Sequence, residues 1–121
     1  MDTIEAILPI TGVPPEMFDA LCTLREQIIT CYANRQSHDD FGQLRVAEFI
    51  NDLTIENKTK YIKIICRDSV WGFIIKNDDN KFKSGDILMA ASWNGPRRNA
   101  ARGNIFTKYS IDWMGPTYLT R

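Results

Sequence analysis

The spacing of apolar residues changes once along the chain, and this change limits the possible folds more than any other feature. In the first part, apolar residues recur every three or four positions, as on one face of an α-helix: Met17, Leu21, Leu24, Ile28 and Cys31, with Phe18, Ile29 and Tyr32 widening the face. From Lys58 onwards the apolar residues are contiguous and mostly β-branched or aromatic, as in buried strands. Helices followed by strands predict an α+β fold.

Local signals set the bounds of two helices. A Pro-Pro pair is tolerated in a first helical turn, so the first helix is predicted over about 14–35. Ser37 or Asp39 can cap a second helix over about 40–53. The apolar residues of the second helix, at near-helical spacing, are Phe41, Leu44, Ala47, Ile50 and Leu53. The wide apolar face of the first helix can pack on the sheet, on the second helix or on a second copy of the chain, and the last arrangement predicts a homodimer.

The second half of the chain predicts a meander of strands. KYIKIICR and SVWGFIIK are joined by the short turn RDS, which predicts a β-hairpin. DILMAAS predicts a third strand, and NIFTKYSIDWMG predicts one or two more. Strands joined by short turns are antiparallel. We therefore expect a single domain in which a two-helix arm (residues 1–55) is followed by a four- to five-stranded antiparallel sheet (residues 56–121).

The chain is neutral overall, but its charge is divided between the two halves. Residues 1–53 carry 3 Arg, no Lys and 9 Asp or Glu, a net charge of −6, whereas residues 54–121 carry a net charge of +6. Two explanations stay open: the basic half pairs with the acidic helices, or it binds an anion.

Cysteine content and hydropathy indicate a cytosolic protein. Cys22 and Cys31 would lie on opposite faces of the first helix, so the three cysteines do not predict a disulfide framework. No apolar run reaches the ~18 residues of a membrane span, and the N-terminal segment lacks the basic start of a signal peptide. We expect a chain in a reducing cytosol and away from membranes.

The sequence lacks the residue patterns of common enzyme sites. The one histidine, His38, falls in the predicted turn between the helices and is interpreted as solvent-exposed. The cysteines lack metal-ligand spacing, and neither a P-loop nor a GxGxxG motif occurs. The sequence therefore predicts a protein that is not an enzyme and has no metal or cofactor.

One loop concentrates groups that bind anions. The stretch WNGPRRNAARGNIF, residues 93–106, which we call the arginine loop, holds three arginines, three asparagines and a tryptophan. Arginine donates paired hydrogen bonds to phosphate, indoles stack on bases, and glycines let a pyrophosphate approach the backbone. The alternative is a polar loop whose arginines pair with the acidic helices. Trp71, Phe73 and Trp113 are expected in the core rather than at a ligand.

Several segments resemble one protein family. In order along the chain they are TKYIKII, VWGFII, GDILMAASWNGP, ARGNIF and GPTYL, between about Thr59 and Leu119. Together they resemble the phage Thoeris anti-defence sponge family, whose members are encoded by phages and prophages. The Trp-x-x-Pro pattern followed by Arg-Gly-Asn is the most distinctive part, whereas residues 1–55 add little.

The resemblance implies a function without catalysis. Members bind cyclic ADP-ribose isomers, such as glycocyclic ADP-ribose, which a bacterial TIR-domain enzyme makes on infection, and so block Thoeris signalling in the host cytoplasm. The resemblance also implies a homodimer in which the ligand lies between sheet loops of one subunit and helix residues of the other. Some members form a trimer of dimers and hold cyclic trinucleotides at a second site.

The resemblance further implies a set of ligand-binding residues. From the sheet loops these are Phe82, Trp93, Asn94, Arg98, Arg102, Gly103 and Asn104. From the partner subunit's helix they are Met17, Phe18, Leu21 and Arg25. In this set Arg98 and Arg102 clamp two phosphates, Phe82 stacks on adenine, and the two asparagines take ribose hydroxyls. Gly95 and Arg97 depart from the small apolar residues expected at their positions.

Two other functions stay open. A single-stranded nucleic-acid-binding module would also combine basic residues with aromatic rings on a small sheet, although here the basic residues cluster in one loop and the helices are acidic. A small phosphodiesterase acting on the same signal would share the arginines but needs a general base. The partner that the resemblance implies is a cyclic ADP-ribose isomer. We expect the chain to bind neither a membrane nor duplex nucleic acid.

Overall fold

Two helices precede a series of antiparallel strands in the computed structural model, which describes residues 12–116. The helices are α1 (Pro15–Ala33) and α2 (Asp40–Asp52). The strands are β1 (Leu53–Asn57), β2 (Tyr61–Cys66), β3 (Ser69–Ile75), β4 (Ile87–Leu88), β5 (Ala90–Ser92), β6 (Gly95–Pro96), β7 (Ile111–Asp112) and β8 (Gly115–Pro116). The predicted α+β fold with an N-terminal helical arm is confirmed.

Four strands form the main sheet, in the order β1-β2-β3-β4, and every neighbouring pair is antiparallel. The predicted hairpin consists of β2 and β3, joined by a two-residue turn in which Arg67 has a φ of 59°. Two further sheets, β5-β6 and β7-β8, have two strands each. The segment expected to form the last one or two strands thus forms a short hairpin outside the main sheet.

The main sheet is covered on both faces. One face carries Ile62, Ile64 and Ile74, which share a buried cluster with both helices. The opposite face carries Phe73 and Ile75, which pack with side chains from the segments that follow β3: Phe82, Leu88, Ala90 and Ala101. Because neither face is left to solvent, β2 and β3 are nearly continuous apolar runs rather than alternating ones.

A register shift in the β2–β3 hairpin leaves Trp71 as an extra residue of β3. Trp71 joins the helix-side core, where its indole N–H donates a hydrogen bond of 2.9 Å to the Asp112 carbonyl. Phe73 is buried on the opposite face, and Trp113 is partly buried against the helix-side core. The predicted core position is confirmed for Trp71 and Phe73, while Trp113 is only partly buried, and Phe73 also lines the open cleft described below.

The predicted apolar face of α1 is confirmed as well. Its buried residues include Met17, Leu21, Leu24, Ile28 and Tyr32. Pro14 is the N-cap of the helix, and its carbonyl accepts a hydrogen bond of 2.9 Å from the Phe18 N–H. Of the three packing partners open to this face, α1 therefore uses the sheet and α2.

The predicted apolar face of α2 is wrong. Four of its residues are exposed on the helix, and we call them the α2 ridge: Phe41, Leu44, Ala47 and Ile50. Residues three apart are rotated by about 300° around a helix, so the ridge winds around α2 instead of keeping to one side. The remaining member of the predicted set, Leu53, is buried, but in β1.

Phe49 and Gly42 decide which face of α2 turns inwards. The Phe49 ring stacks on Tyr32 of α1, with ring centroids 4.1 Å apart. A Cβ at Gly42 would lie 1.7 Å from the Ser37 carbonyl oxygen, so only glycine allows this approach. Asp39 is the N-cap: its Oδ1 accepts bonds from the Gly42 N–H at 2.9 Å and from the Ser37 hydroxyl at 2.6 Å.

Two strand predictions differ from the structure. β1 begins at Leu53, where the second helix was expected to end, and its five residues are too few to stand out after a helical pattern. The predicted third strand is interrupted at Met89, whose carbonyl accepts a hydrogen bond of 2.7 Å from the Arg97 N–H. As a result β4 stays in the main sheet, while β5 turns back to pair with β6.

The structure also bears on the predictions about disulfides and membrane spans. All three cysteines are free thiols, and burial raises the pKa of the Cys66 thiol. Neither α1 nor α2, the helices found within residues 12–116, has the length and apolar character to cross a bilayer.

The two phenylalanines of α2 give a matched test of the observed packing. Phe49→Ala should lower the free energy of unfolding by about 3–5 kcal/mol, because it empties a fully buried ring position. Phe41, which is 72% exposed, is the control, and Phe41→Ala should cost less than about 1 kcal/mol. Urea unfolding of both variants at low protein concentration gives the comparison, and equal losses would contradict the orientation of α2.

Candidate functional site

The tip of the β5–β6 hairpin carries two of the predicted ligand-binding residues. Ser92 pairs with Gly95, so Trp93 and Asn94 form the turn between the strands. Trp93 is 49% exposed, and Asn94 is exposed too. The hairpin tip therefore presents an indole and an amide to incoming molecules.

Lys63 lies against this hairpin tip, although it belongs to an otherwise apolar strand. It pairs with Phe73 of β3 and Glu56 of β1 in the sheet register, and only 4% of it is exposed. Its ammonium nitrogen lies 4.0 Å from the centroid of the Trp93 ring. Within residues 12–116 this ammonium has no hydrogen bond or ion pair. A lysine so deeply buried is rare unless its charge is paired, and here an indole face is its main contact.

Lys63 and Trp93 line an open space of about 520 Å³, which we call the lysine cleft. Its lining consists of three lysines, three aromatic residues and three other polar residues: Lys58, Lys60, Lys63, Tyr61, Phe73, Trp93, Glu56, Thr59 and Asn94. The Lys58 ammonium pairs with the Glu56 carboxylate at 3.0 Å. With three ammonium groups and one carboxylate, the lining carries a net charge of +2. The volume falls within the range of about 300–1,000 Å³ that is usual for small-molecule sites.

Arg98 is held by three contacts. Its Nη1 donates to the Tyr61 hydroxyl at 2.9 Å, and its Nη2 donates to the Asp79 carboxylate at 2.8 Å. The guanidinium carbon lies 4.8 Å from the centroid of the Phe82 ring. The hydrogen bond from Arg98, with two further bonds from backbone N–H groups, holds the pKa of Asp79 well below its usual range. Arg98 is not part of the lining of the lysine cleft, but Tyr61 is.

Arg102 and Gly103 fasten their loop to β4. The Arg102 N–H donates to the Ile87 carbonyl at 2.7 Å, and the Ile87 N–H donates to the Gly103 carbonyl at 2.9 Å. Gly103 has a φ of 142°, and a Cβ there would lie 2.6 Å from the Tyr109 Cβ, so the position requires glycine. The Arg102 guanidinium donates to the Asn99 amide oxygen at 3.3 Å. A phosphate contact by Arg102 stays a prediction.

Asn104 and Phe82 also have structural roles. The Asn104 amide nitrogen donates to the Ser84 carbonyl and to the Asp86 carboxylate, both at 3.0 Å. Phe82 is 3% exposed and belongs to the core cluster beneath the arginine loop. Stacking of Phe82 on adenine would require Arg98 to leave its ring. The ligand contacts expected of Asn104 and Phe82 therefore stay predictions.

The four helix residues differ in accessibility. Met17 and Leu21 are buried in the core of their own chain, and Phe18 is half-buried. Arg25 is 5% exposed, its Nε has no hydrogen-bond partner among residues 12–116, and burial lowers the pKa of its guanidinium. Met17 and Leu21 would reach a ligand of another subunit only if the core opened, so they are unsuited to the ligand contacts expected of them. Contacts by Phe18 and Arg25 stay predictions.

Comparison with known proteins adds no relative. No protein-family model matches the chain, and no curated protein and no solved structure matches it either. The features of this chain that bear on its function are therefore the cleft itself and the segments that carry the family resemblance.

The structure brings Trp93 and Asn94 together with three lysines that were not among the predicted ligand-binding residues, although Lys60 and Lys63 lie in the segment TKYIKII. Lys63 does leave a signal, because a lysine within the run YIKIIC interrupts a buried strand. Lys58 and Lys60 precede β2 and have the sequence character of an ordinary solvated turn. Nothing in the sequence places Trp93 over Lys63, since the two residues are joined only by the way the β5–β6 hairpin folds back on the main sheet.

The burial of Lys63 has a consequence for stability. Lys63→Met keeps the length of the side chain and places an apolar group at an almost fully buried position, so it should raise the free energy of unfolding by about 1 kcal/mol. Lys108, which is exposed and outside the cleft, is the control, and Lys108→Met should change the value by less than about 0.5 kcal/mol. Urea unfolding measures both. A clear loss of stability in Lys63→Met would show that the ammonium supports the fold.

Proposed function

We propose that this protein binds a cyclic ADP-ribose isomer and sequesters it without cleaving it, which blocks Thoeris signalling in the cytoplasm of the infected bacterial host. The family resemblance suggests the identity of the ligand, and the lysine cleft offers a site whose chemistry suits it. The observation that carries the proposal is the position of Lys63: its side chain is almost fully buried, and its ammonium lies against the Trp93 ring at the wall of an open cleft.

The charge of the lysine cleft suits a pyrophosphate diester. Its lining carries a net charge of +2, and the two phosphates of a cyclic ADP-ribose carry about one negative charge each. A bound phosphate would give the Lys63 ammonium the acceptor that it does not have within residues 12–116. Charge-assisted hydrogen bonds of this kind are about twice as strong as neutral ones.

The other lining groups suit the base and the riboses. Trp93 is half exposed, and an indole face that stacks on adenine contributes about 1–3 kcal/mol. The Asn94 amide and the Glu56 carboxylate have oxygens that accept bonds from ribose hydroxyls. A sponge must hold a scarce messenger at nanomolar affinity, on the order of 12 kcal/mol, and contacts to all three parts of the nucleotide are needed to reach it.

Retention of intact ligand tests this proposal. The protein is mixed with a cyclic ADP-ribose isomer, freed of unbound small molecules, heat-denatured, and the supernatant is analysed by mass spectrometry. Wild type should release the unchanged ligand. Lys63→Met should weaken binding at least tenfold, because it removes a desolvated contact worth about 1.5–3 kcal/mol. Lys108→Met is the matched control and should retain the ligand like wild type.

Other outcomes of the same experiment have distinct meanings. Recovery of a linearised product would identify an enzyme and contradict sequestration. Absence of retained ligand from wild type would remove the proposal altogether. If Lys63→Met retained the ligand fully and Arg102→Met lost it, the binding site would be the arginine loop predicted from the sequence and not the lysine cleft.

The competing single-strand binding function differs in its salt dependence. Oligonucleotide binding that neutralises several phosphates weakens steeply and log-linearly with salt concentration. Binding of a ligand with two phosphates should change much less between about 50 and 200 mM salt. Fluorescence titrations with a labelled oligonucleotide and with the cyclic ligand, over the same salt series, separate the two functions.

The proposal includes assembly into a homodimer and a trimer of dimers, with cyclic trinucleotides at a second site. The α2 ridge offers an apolar surface for a second copy of the chain, since Phe41 and Leu44 are 72% and 58% exposed. Arg45 and Glu48 lie among the ridge residues and are exposed as well. In an antiparallel pair of α2 helices related by a two-fold axis, each arginine would face the glutamate of the other copy.

Leu44→Glu tests this assembly. A charge in the middle of the α2 ridge should weaken self-association at least tenfold, since an unpaired carboxylate would be buried between the two helices. Gln43→Glu adds the same charge at the neighbouring exposed position and should leave the oligomer unchanged. Sedimentation velocity over a concentration series measures both. An oligomer that persists in Leu44→Glu would exclude the ridge as the interface.

A further inference from the structure

Arg98 directs both terminal nitrogens of its guanidinium group to partners inside the protein. One is bonded to the Tyr61 hydroxyl, the other to the Asp79 carboxylate, and the face of the group lies on the Phe82 ring. The side chains of Arg98 and Asp79 are only 33% and 25% exposed. The paired, fork-like contact with a phosphate that uses both terminal nitrogens would compete with these two bonds.

Asp79 links Arg98 to the loop that follows β3. Its Oδ2 accepts the bond from Arg98, while its Oδ1 accepts bonds from the Lys81 N–H at 2.8 Å and the Phe82 N–H at 2.6 Å. The Lys81 ammonium in turn donates to the Arg98 carbonyl. Two loops that are far apart in sequence are thus joined on one side of the lysine cleft.

Tyr61 connects this pair to the cleft. Its hydroxyl accepts the bond from Arg98, and its ring meets the edge of Phe73 with centroids 5.6 Å apart at 68°. Tyr61 and Phe73 both line the lysine cleft, whereas Arg98 and Asp79 do not. Arg98 therefore does not line the cleft itself but is bonded to Tyr61, which does.

We propose that Arg98 is a positioning residue: paired with Asp79, it fixes the Tyr61 ring as a wall of the lysine cleft and does not itself bind the phosphates of the ligand. This inference rests on the proposed function of the cleft and replaces the phosphate clamp that the sequence predicts for Arg98. The two roles give opposite results when the Asp79 charge is removed.

Asp79→Asn is the decisive variant. Asparagine keeps a side-chain oxygen for the Lys81 and Phe82 N–H groups, so the turn is preserved, but the ion pair with Arg98 is lost. If Arg98 positions Tyr61, anion binding weakens about tenfold, as expected for loss of a charge-assisted bond. If Arg98 clamps phosphate, binding becomes tighter, because a competing carboxylate has been removed and the guanidinium is released.

Three further variants and one control complete the test. Arg98→Lys keeps the charge but cannot bridge Tyr61 and Asp79 together, so it should lose about as much affinity as Asp79→Asn. Tyr61→Phe should show a similar loss, and the double variant Tyr61→Phe with Arg98→Lys should bind no more weakly than either single variant. Arg97→Met, at the exposed neighbouring arginine, is the control and should bind like wild type. Melting temperatures should stay close to that of wild type, since an ion pair this near the surface adds little stability.

Isothermal titration with two probes, a cyclic ADP-ribose isomer and inorganic pyrophosphate, separates this inference from the proposed function. Pyrophosphate binding without binding of the cyclic ligand would remove the proposed function, and the pattern of variants on pyrophosphate would still decide the role of Arg98. Tighter binding by Asp79→Asn, or full affinity in Arg98→Lys, would overturn the positioning role. Wild type that binds neither probe would overturn both proposals.

Discussion

The coverage of both faces of the main sheet is the constraint on which the other features depend. The helices cover one face, and the segments after β3, including the arginine loop, cover the other. Once both faces are covered, any polar side chain in β2 must either be buried or face a gap in the cover. Lys63 is in this position, and the gap beside it is the lysine cleft.

Lys63 is an almost fully buried lysine whose ammonium faces an indole, in a small domain whose net stability is only about 5–15 kcal/mol. A cation–π contact with a half-exposed ring such as Trp93 returns only about 0.5–1 kcal/mol. Binding sites typically contain polar or charged groups that lack a hydrogen-bond partner in the free protein and gain one from the ligand. An anion bound in the cleft, as the proposed function expects, would give the Lys63 ammonium a charged partner.

The arginine loop has a structural role in addition to the anion binding that its composition predicts. Arg98 joins Asp79 to Tyr61, Gly103 allows a close approach to Tyr109, and Asn104 bonds to the neighbouring loop. These residues hold the loop on the second face of the sheet. Only its first two residues, Trp93 and Asn94, reach the cleft. In our interpretation the loop builds the site, and the lysines of the main sheet carry its charge.

The sequence by itself determined the class of fold, the bounds of both helices to within two residues, the inward face of α1 and the β2–β3 hairpin. These features depend on local spacing, which a single strand or helix expresses on its own. Tertiary structure decided the orientation of α2, the break at Met89 and the meeting of Trp93 with Lys63. Each of these depends on a contact between segments distant in the chain, where packing and hydrogen bonding override the local pattern.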